Sequence, residues 1–211
     1  MTGGLGFNVG NGTASRVYQN VASIYQSGSV TGTLKITLPV SWTSTMMRLN
    51  IIGYNYNSVA GWQAVVSGYN YAGSSSWNNC GAEIYGKAPF NQVRLAHDGT
   101  KCVILLGDTS TVWSYPNIAV AQVLVSTGSV DSFNSGWAMS IISSESGISS
   151  IVSPTVEKFW TSSNDGSGSG LDADLLDGND SSYFQTALTN PVTGTGATNY
   201  ISKWTGTNTQ G

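Results

Sequence analysis

The amino-acid sequence predicts an all-β protein whose main domain is an antiparallel β-sandwich of jelly-roll type. Apolar and polar residues alternate with period two in many short segments, as they do in strands that bury one face. Turn residues separate these segments at intervals of about 8 to 12 residues, a spacing typical of sandwiches and barrels. No segment has the apolar spacing of a helix, so we expect a fold made of strands.

The longest alternating segment runs from Leu34 to Trp42, where every second residue is apolar. Pro39 within it has no N–H group and therefore marks an edge strand or the end of a strand. Shorter segments with the same period follow at 47–51, 62–66, 82–84 and 93–95. The sequence from Asn117 to Val125 is apolar at both phases, which predicts a strand covered on both sides.

Asp98 and Gly99 are predicted to form the turn of a β-hairpin. They lie between apolar segments at 93–96 and 102–106, and Asp-Gly supplies the positive φ that tight hairpin turns require. The neighbouring His97 is the single histidine of the chain, and no nucleophile motif accompanies it. We therefore expect His97 to belong to the turn and not to a catalytic triad.

The low charge of the chain restricts its partners. Only 9% of residues are charged and the net charge is −3, whereas 40% of residues are hydrophobic, so the composition is that of a folded protein. The eight Lys and Arg are scattered singly, which argues against nucleic acids and anionic membranes as partners. Polar residues interrupt every apolar stretch, so membrane insertion is not expected. The residues after Met1 do not form the basic and then apolar regions of a secretory signal, so none is expected. If the protein acts outside the cell, we expect it to arrive there by assembly into a particle and cell lysis.

Composition divides the chain into four parts. An N-terminal arm at 1–15 precedes the β-sandwich domain at 16–153, and a linker rich in Ser and Gly at 154–168 leads to a final segment at 169–211. A segment of about 40 residues seldom buries enough apolar surface to fold alone. We therefore expect the final segment to become ordered by self-association.

The final segment also resembles a known family. The sequence GLDADLLDGNDSSYF (Gly170 to Phe184), with LTNPVTGTGATNYISKWTGT (Leu188 to Thr207), is similar to the shaft and neck segments of trimeric bacteriophage tail fibres and related receptor-binding proteins. A weaker similarity to a β-domain of such fibres lies at 107–116 and 136–141. The resemblance implies a homotrimer with an extended, intertwined β shaft, bound to other tail proteins of the virion. The implied trimer contacts are Leu171, Leu175, Leu176, Tyr183, Phe184 and Leu188.

Aromatic residues and asparagines crowd one uncharged region of the sandwich, from Leu49 to Ala82. A surface that combines flat aromatic rings with amide groups suits a glycan, whose sugar rings have apolar C–H faces and hydroxyl edges. The sequence YNYAGSSSWNN reads as a loop, and loops on rigid scaffolds often carry recognition. The candidate glycan-binding residues are Tyr69, Asn70, Tyr71, Trp77, Asn78 and Asn79. The other interpretation of any one ring is that it belongs to the core or to a subunit contact.

No catalytic residue, metal site or cofactor is predicted. Glu83, Glu145, Glu157 and the aspartates include enough carboxylates for a glycosidase pair, but their spacing does not define one. The aspartates at 172–180 lack the spacing of a calcium loop and its closing Glu. Cys80 and Cys102 form no dense disulfide pattern, and we expect two buried free thiols.

The function expected from these observations is that of a structural virion protein. It would be a tail-fibre segment that attaches the particle to a glycan or another receptor on the bacterial surface, without enzymatic activity. Two alternatives stay open: a polysaccharide-degrading tailspike, and a carbohydrate-binding adhesin module.

Overall fold

A computed structural model of the chain describes residues 6–8, 15–56, 60–158, 175–176 and 179–180. The chain divides into two compact units, residues 1–159 and 160–211. Over the described residues the protein is built from β-strands, with a 3-10 helix at Val130–Asn134. The all-β prediction is therefore confirmed, and no helix in these ranges is long and apolar enough to cross a membrane.

The first unit contains fourteen described strands and the second unit two. They are β1 (Gly6–Asn8), β2 (Ser15–Tyr25), β3 (Ser29–Thr31), β4 (Thr33–Thr37), β5 (Thr45–Asn55), β6 (Ala60–Tyr71), β7 (Ser76–Gly86), β8 (Val93–His97), β9 (Cys102–Leu106), β10 (Val112–Ser114), β11 (Asn117–Ser126), β12 (Ala138–Ile142), β13 (Ser149–Val152), β14 (Val156–Lys158), β15 (Leu175–Leu176) and β16 (Asn179–Asp180).

Two main sheets share one apolar core, which is consistent with a β-sandwich. The larger sheet has seven strands in the order β1-β2-β11-β5-β6-β7-β14, and the smaller has five in the order β12-β4-β9-β8-β13. All described pairings in them are antiparallel except that of β14 with β7. Strands β3 and β10 form a separate two-stranded ribbon.

The alternation seen in the sequence produces the core. Leu34, Ile36 and Leu38 are fully buried, and β5 and β9 contribute inward residues such as Leu49 and Ile104. Strand β4 ends at Thr37, before Pro39, and lies between β12 and β9. The proline therefore marks the end of a central strand and not an edge strand.

The hairpin of β8 and β9 is confirmed, but its turn differs from a two-residue turn. Four residues separate the paired His97 and Cys102, and Gly99 is the one turn residue with positive φ, at +90°. The Asp98 carboxylate accepts hydrogen bonds from the backbone N–H of Thr100 and Lys101 at 3.1 and 2.9 Å. An Asp side chain that mimics a backbone turn therefore accounts for the shape of this loop.

Arg94 in β8 is buried, although the alternation placed it on a wet face. The segment between β12 and β13 covers that face: Ile148 packs on the buried Val103 and Leu105, and Glu145 pairs with the Arg94 guanidinium. Strand β8 is consequently covered on both sides, which a period of two does not reveal.

The β11 prediction is wrong in one respect, because this strand buries one face and exposes residues such as Leu124 on the other. The pairing of β11 with β5 shifts between Val120 and Gln122. A β-bulge with one extra residue reverses the phase of all side chains beyond it. The sequence is apolar at both phases because the inward phase changes along the strand.

Regular pairing extends past the ends predicted for the sandwich domain. Gly6–Asn8, assigned to the arm, pairs with β2, and Val156–Lys158, assigned to the linker, pairs with β7. In the second unit, β15 pairs with β16 in antiparallel register, with Leu176 opposite Asn179. Trimerisation and the intertwined shaft stay predictions.

Candidate functional site

The predicted aromatic loop is mostly regular strand. Strand β6 continues to Tyr71 and β7 begins at Ser76, so the turn between them consists of four residues, 72–75. Tyr69 pairs with Asn78, and Tyr71 pairs with Ser76. Because alternate residues of a strand point to opposite sides, the candidate residues divide between the interior and the outer face of the larger sheet.

Asn70 and Trp77 lie in the interior. Asn70 is fully buried, where its Oδ1 accepts a hydrogen bond from the Thr45 N–H at 2.7 Å and its Nδ2 donates to the Ser41 carbonyl at 2.8 Å. Trp77 is 3% exposed, and its Nε1 donates to the Ala96 carbonyl at 2.9 Å. These groups tie strands together and offer no surface to a ligand, which corrects their inclusion among the glycan contacts.

A β-bulge explains why Trp77 points inward. Asn79 and Cys80 on β7 together oppose Gly68 on β6, and Asn79 has a φ of +50°, a conformation that asparagine tolerates better than most residues. The extra residue reverses the phase, so that Trp77 and Ala82 are both buried although they are five positions apart. The backbone of Asn79 is thus part of the scaffold, while its side chain is exposed.

Three of the predicted residues, Tyr69, Tyr71 and Asn78, share the outer face with Met46 and Ser76. We call these five residues the hairpin platform. The rings of Tyr69 and Tyr71 are stacked, with centroids 5.6 Å apart and planes inclined by 26°. Met46 lies opposite Tyr69 on the neighbouring strand and is 47% exposed. The result is a flat apolar surface on the outer face of the sheet.

Glycine in the turn allows the platform to form. A Cβ on Gly73 would lie 2.5 Å from Cζ and from the hydroxyl oxygen of Tyr71, so the Tyr71 ring packs directly on the turn backbone. This contact fixes the ring while leaving it 40% exposed.

Polar groups border the two rings. Ser74 Oγ and Ser76 Oγ are 2.6 Å apart, and Ser76 Oγ donates to Asn78 Oδ1 at 3.4 Å. Residues 49–82 contain no charged side chain. The platform can therefore combine ring stacking with hydrogen bonds from hydroxyl and amide groups. The exposed Arg48, two residues from Met46 on β5, is a cation on the same face.

A second group of exposed tyrosines, which we call the tyrosine end, consists of Tyr25, Tyr54, Tyr56 and Tyr115. Their exposed fractions are 67, 42, 60 and 46%. The sequence placed Tyr54 and Tyr56 in the aromatic region, but Tyr25 and Tyr115 lie far away along the chain. Only the pairing of β2 and β5 with β11 brings these segments together, so no local signal could have found this group.

His97 ends β8 and borders the hairpin turn, with which the sequence associated it. Its Nδ1 accepts a hydrogen bond from the Gly99 N–H at 3.1 Å, so in the neutral ring Nε2 carries the proton and donates to Ser41 Oγ, 2.9 Å away. This is the opposite of the arrangement in which a histidine removes a proton from a serine. Stacking of the imidazole on Trp42, at 5.1 Å, fixes it further.

Two of the carboxylates that the sequence left as possible acid and base, Glu145 and Asp108, have structural partners. Hydrogen bonds from Arg94 lower the pKa of Glu145, and hydrogen bonds from Ser110 lower the pKa of Asp108. Both carboxylates are therefore engaged in hydrogen bonds within the fold. In the described part of the chain, no three His, Cys, Asp or Glu residues are grouped as metal ligands.

Both cysteines are free thiols. Cys102 is buried as expected, whereas Cys80 is only partly buried. Burial raises the pKa of Cys102 to about 12 and that of Cys80 to about 11, so both stay protonated at neutral pH. A protonated thiol is a poor nucleophile, and neither residue has the features of a reactive cysteine.

Of the residues predicted to form trimer contacts, Leu175 and Leu176 lie in β15. The other four, Leu171, Tyr183, Phe184 and Leu188, lie outside the described residues.

Comparison with known proteins finds no matching family model, no matching curated protein and no matching solved structure.

Proposed function

We propose that this chain is a segment of a homotrimeric bacteriophage tail fibre, and that its jelly-roll-like sandwich binds glycans on the bacterial surface through the hairpin platform. The tail-fibre assignment is supported by the resemblance of residues 170–184 and 188–207 to fibre shafts. The glycan assignment is supported by the chemistry of the platform. Other virion tail proteins are the further partners.

The observation that carries the glycan proposal is the stacked pair of the half-buried Tyr69 and the exposed Tyr71, beside the polar row of Ser74, Ser76 and Asn78. Sugar C–H faces pack on aromatic rings, and sugar hydroxyls need hydrogen-bond partners at the edge of those rings. Rings held in place by a sheet and by a glycine turn lose little conformational freedom on binding. The platform thus offers a preorganised surface for a neutral sugar.

Three copies of a weak site would bind a repetitive polysaccharide much more tightly than one. Once the first site is occupied, the second and third bind at a high effective concentration, without any new contact. A trimer therefore achieves firm attachment with single platforms of low affinity. The proposed activity is binding without cleavage.

The test uses the full chain, fluorescently labelled, on a panel of bacterial strains. The variant Tyr69→Ala/Tyr71→Ala removes both platform rings, and Val112→Ala/Ile151→Ala removes two exposed apolar side chains outside the larger sheet as a matched control. We expect the wild type and the control to bind at least one strain and the tyrosine variant to lose at least about tenfold in apparent affinity. Periodate treatment of the cells, which destroys sugar diols, should abolish binding.

Two results would contradict the proposal. Binding that survives periodate would show that the receptor is not a glycan. Sustained release of new reducing ends from host polysaccharide would show that the protein cleaves its receptor and belongs with the tailspikes.

A further inference from the structure

We propose that the tyrosine end is a second binding site for a neutral saccharide, formed by Tyr25, Tyr54, Tyr56 and Tyr115 with the amide of Asn117. The inference takes its ligand class, a glycan, from the proposed function. It requires neither the trimer nor the virion.

Strand register gives this site the width of a sugar. Tyr25 on β2 and Tyr54 on β5 both lie directly opposite Asn117 on β11, one on each side. Neighbouring strands are about 4.8 Å apart, so the two tyrosines are separated by about 10 Å across the asparagine. Directly opposed residues point to the same face of a sheet. Two rings and one amide therefore border a gap that can hold a pyranose.

The backbone at Tyr115 is strained in a way that presents its ring. Tyr115 has a φ of +47°, a conformation that bulky residues rarely adopt. Backbone bonds hold it: its N–H donates to the Gly28 carbonyl at 3.3 Å, and the Gln26 N–H donates to the Pro116 carbonyl at 3.1 Å. The preceding Ser114 N–H donates to Oδ1 of the buried Asn55. Strain of this kind is concentrated at functional sites.

The strained backbone places the Tyr115 ring against Tyr56. Their centroids are 5.6 Å apart and the planes are inclined by 63°, an edge-to-face contact. Both rings nevertheless stay about half exposed. Glycine or asparagine would adopt this positive φ with less strain than tyrosine. We therefore infer that the Tyr115 ring serves binding, since the backbone conformation does not require it.

The surroundings select a neutral ligand. Residues 17–34, 49–82 and 109–130, which supply the site, contain no Lys, Arg, Asp or Glu. None of the four tyrosine hydroxyls has a hydrogen-bond partner among the described residues, so all are available to sugar hydroxyls. The strands that carry the four tyrosines and Asn117 therefore offer no charged side chain to the carboxylates of an acidic polysaccharide. The exposed Lys87 follows Gly86 at the end of β7, about two strand spacings from Tyr54.

The two aromatic sites lie at opposite ends of the same sheet. Met46 and Tyr54 are eight positions apart on β5, or about 26 Å at 3.3 Å per residue. One sandwich can therefore contact two separate positions of a single polysaccharide chain. This would double the number of weak contacts in each subunit.

The test measures retardation of the full chain in native gels that contain dextran, mannan or galactan, with alginate as the acidic comparison. All proteins carry Tyr69→Ala/Tyr71→Ala, so that the hairpin platform does not contribute. Tyr25→Ala/Tyr54→Ala removes the rings beside Asn117. Tyr115→Gly removes the strained ring. Leu124→Ala/Ile151→Ala removes two exposed apolar side chains away from the tyrosine end and is the matched control.

We expect the background protein and the control to be retarded by at least one neutral polysaccharide and not by alginate. Both tyrosine-end variants should weaken that retardation about tenfold. Tyr115→Gly should do so without lowering the melting temperature, a result that a merely structural role for Tyr115 would not give.

No retardation of the background protein by any of the three neutral polysaccharides would overturn the inference, as would retardation that the tyrosine-end variants do not change. A protein partner would also overturn the inference. It would be identified if the background protein bound periodate-treated cells and the tyrosine-end variants did not. If a polysaccharide retards the wild type while Tyr69→Ala/Tyr71→Ala abolishes all retardation, that result would support the proposed function and would contradict only the second site.

Discussion

Replacing Glu145 by glutamine tests how the smaller sheet is closed. Arg94 donates to both carboxylate oxygens of Glu145 and, at 2.7 Å, to the Gly107 carbonyl, while Thr33 Oγ1 donates to the same carboxylate. The Arg94 side chain is 9% exposed and that of Glu145 is 22% exposed. The variant keeps the shape of the side chain but removes the carboxylate that forms the ion pair with a nearly buried guanidinium, which then has only the more distant Asp108 as a counter-charge.

The expected loss follows from burial. Breaking a fully buried ion pair costs about 3–5 kcal/mol. Partial exposure of Glu145 reduces this, so we expect Glu145→Gln to lower the free energy of unfolding by about 2–3 kcal/mol. For a chain of this length that corresponds to a fall of about 4–12 °C in melting temperature. Urea denaturation and calorimetry at pH 7 measure both quantities, with the exposed Glu157→Gln as the matched control.

The effect should depend on pH in a defined direction. Hydrogen bonds from Arg94 lower the pKa of Glu145 in the folded protein. A lowered pKa contributes stability that is fully present above the unfolded value, about 4.3, and is lost as the pH falls through the folded value. The wild type should therefore lose its advantage over Glu145→Gln as the pH falls below about 4. A difference under about 0.5 kcal/mol at pH 7, or one that is constant down to pH 3, would refute the reasoning.

Three further substitutions test the packing that positions the aromatic sites. Asn70→Ala should lower the free energy of unfolding by about 2–3 kcal/mol, because it leaves the Thr45 N–H and the Ser41 carbonyl without their side-chain partner. Chemical denaturation measures this loss, and a value under about 1 kcal/mol would contradict the prediction. Gly53→Ala should lower the free energy of unfolding by about 1–3 kcal/mol, because the new Cβ would lie 2.2 Å from the Trp62 ring. Gly61→Ala is the control and should lower it less, because its Cβ would have its nearest atom at 3.6 Å. Tyr115→Gly should leave the free energy of unfolding unchanged or raise it, since relief of the positive φ offsets the lost ring contact. A fall in melting temperature would show that the ring serves the fold.

Much of this sandwich follows from local pattern. Alternation identified Leu34, Ile36 and Leu38 as core residues, and the Asp98-Gly99 pair identified a hairpin turn. Both predictions succeed because each of these features is determined by a few adjacent residues. The phase of a strand beyond a β-bulge does not depend on adjacent residues in this way. Trp77 was assigned to the surface since nothing in the sequence shows that Asn79 and Cys80 share one partner position.

The candidate sites show the same limit. Tyr69, Tyr71 and Asn78 lie on one hairpin, so a stretch of eleven residues was enough to suggest a surface. The tyrosine end joins β2, β5 and β11, and its geometry depends on register between strands that are about 30 to 90 residues apart. Burial of Arg94 likewise depends on a segment that follows about 50 residues later.

Solution mass, measured by light scattering or sedimentation before and after removal of residues 169–211, tests most directly whether this chain is part of a fibre. One chain has a mass of 22.1 kDa. We expect the full chain to have three times the mass of one copy and the shortened chain to be a folded monomer. A full chain that sediments as a single copy at micromolar concentration, with residues 169–211 resistant to protease, would contradict the trimeric tail-fibre assignment.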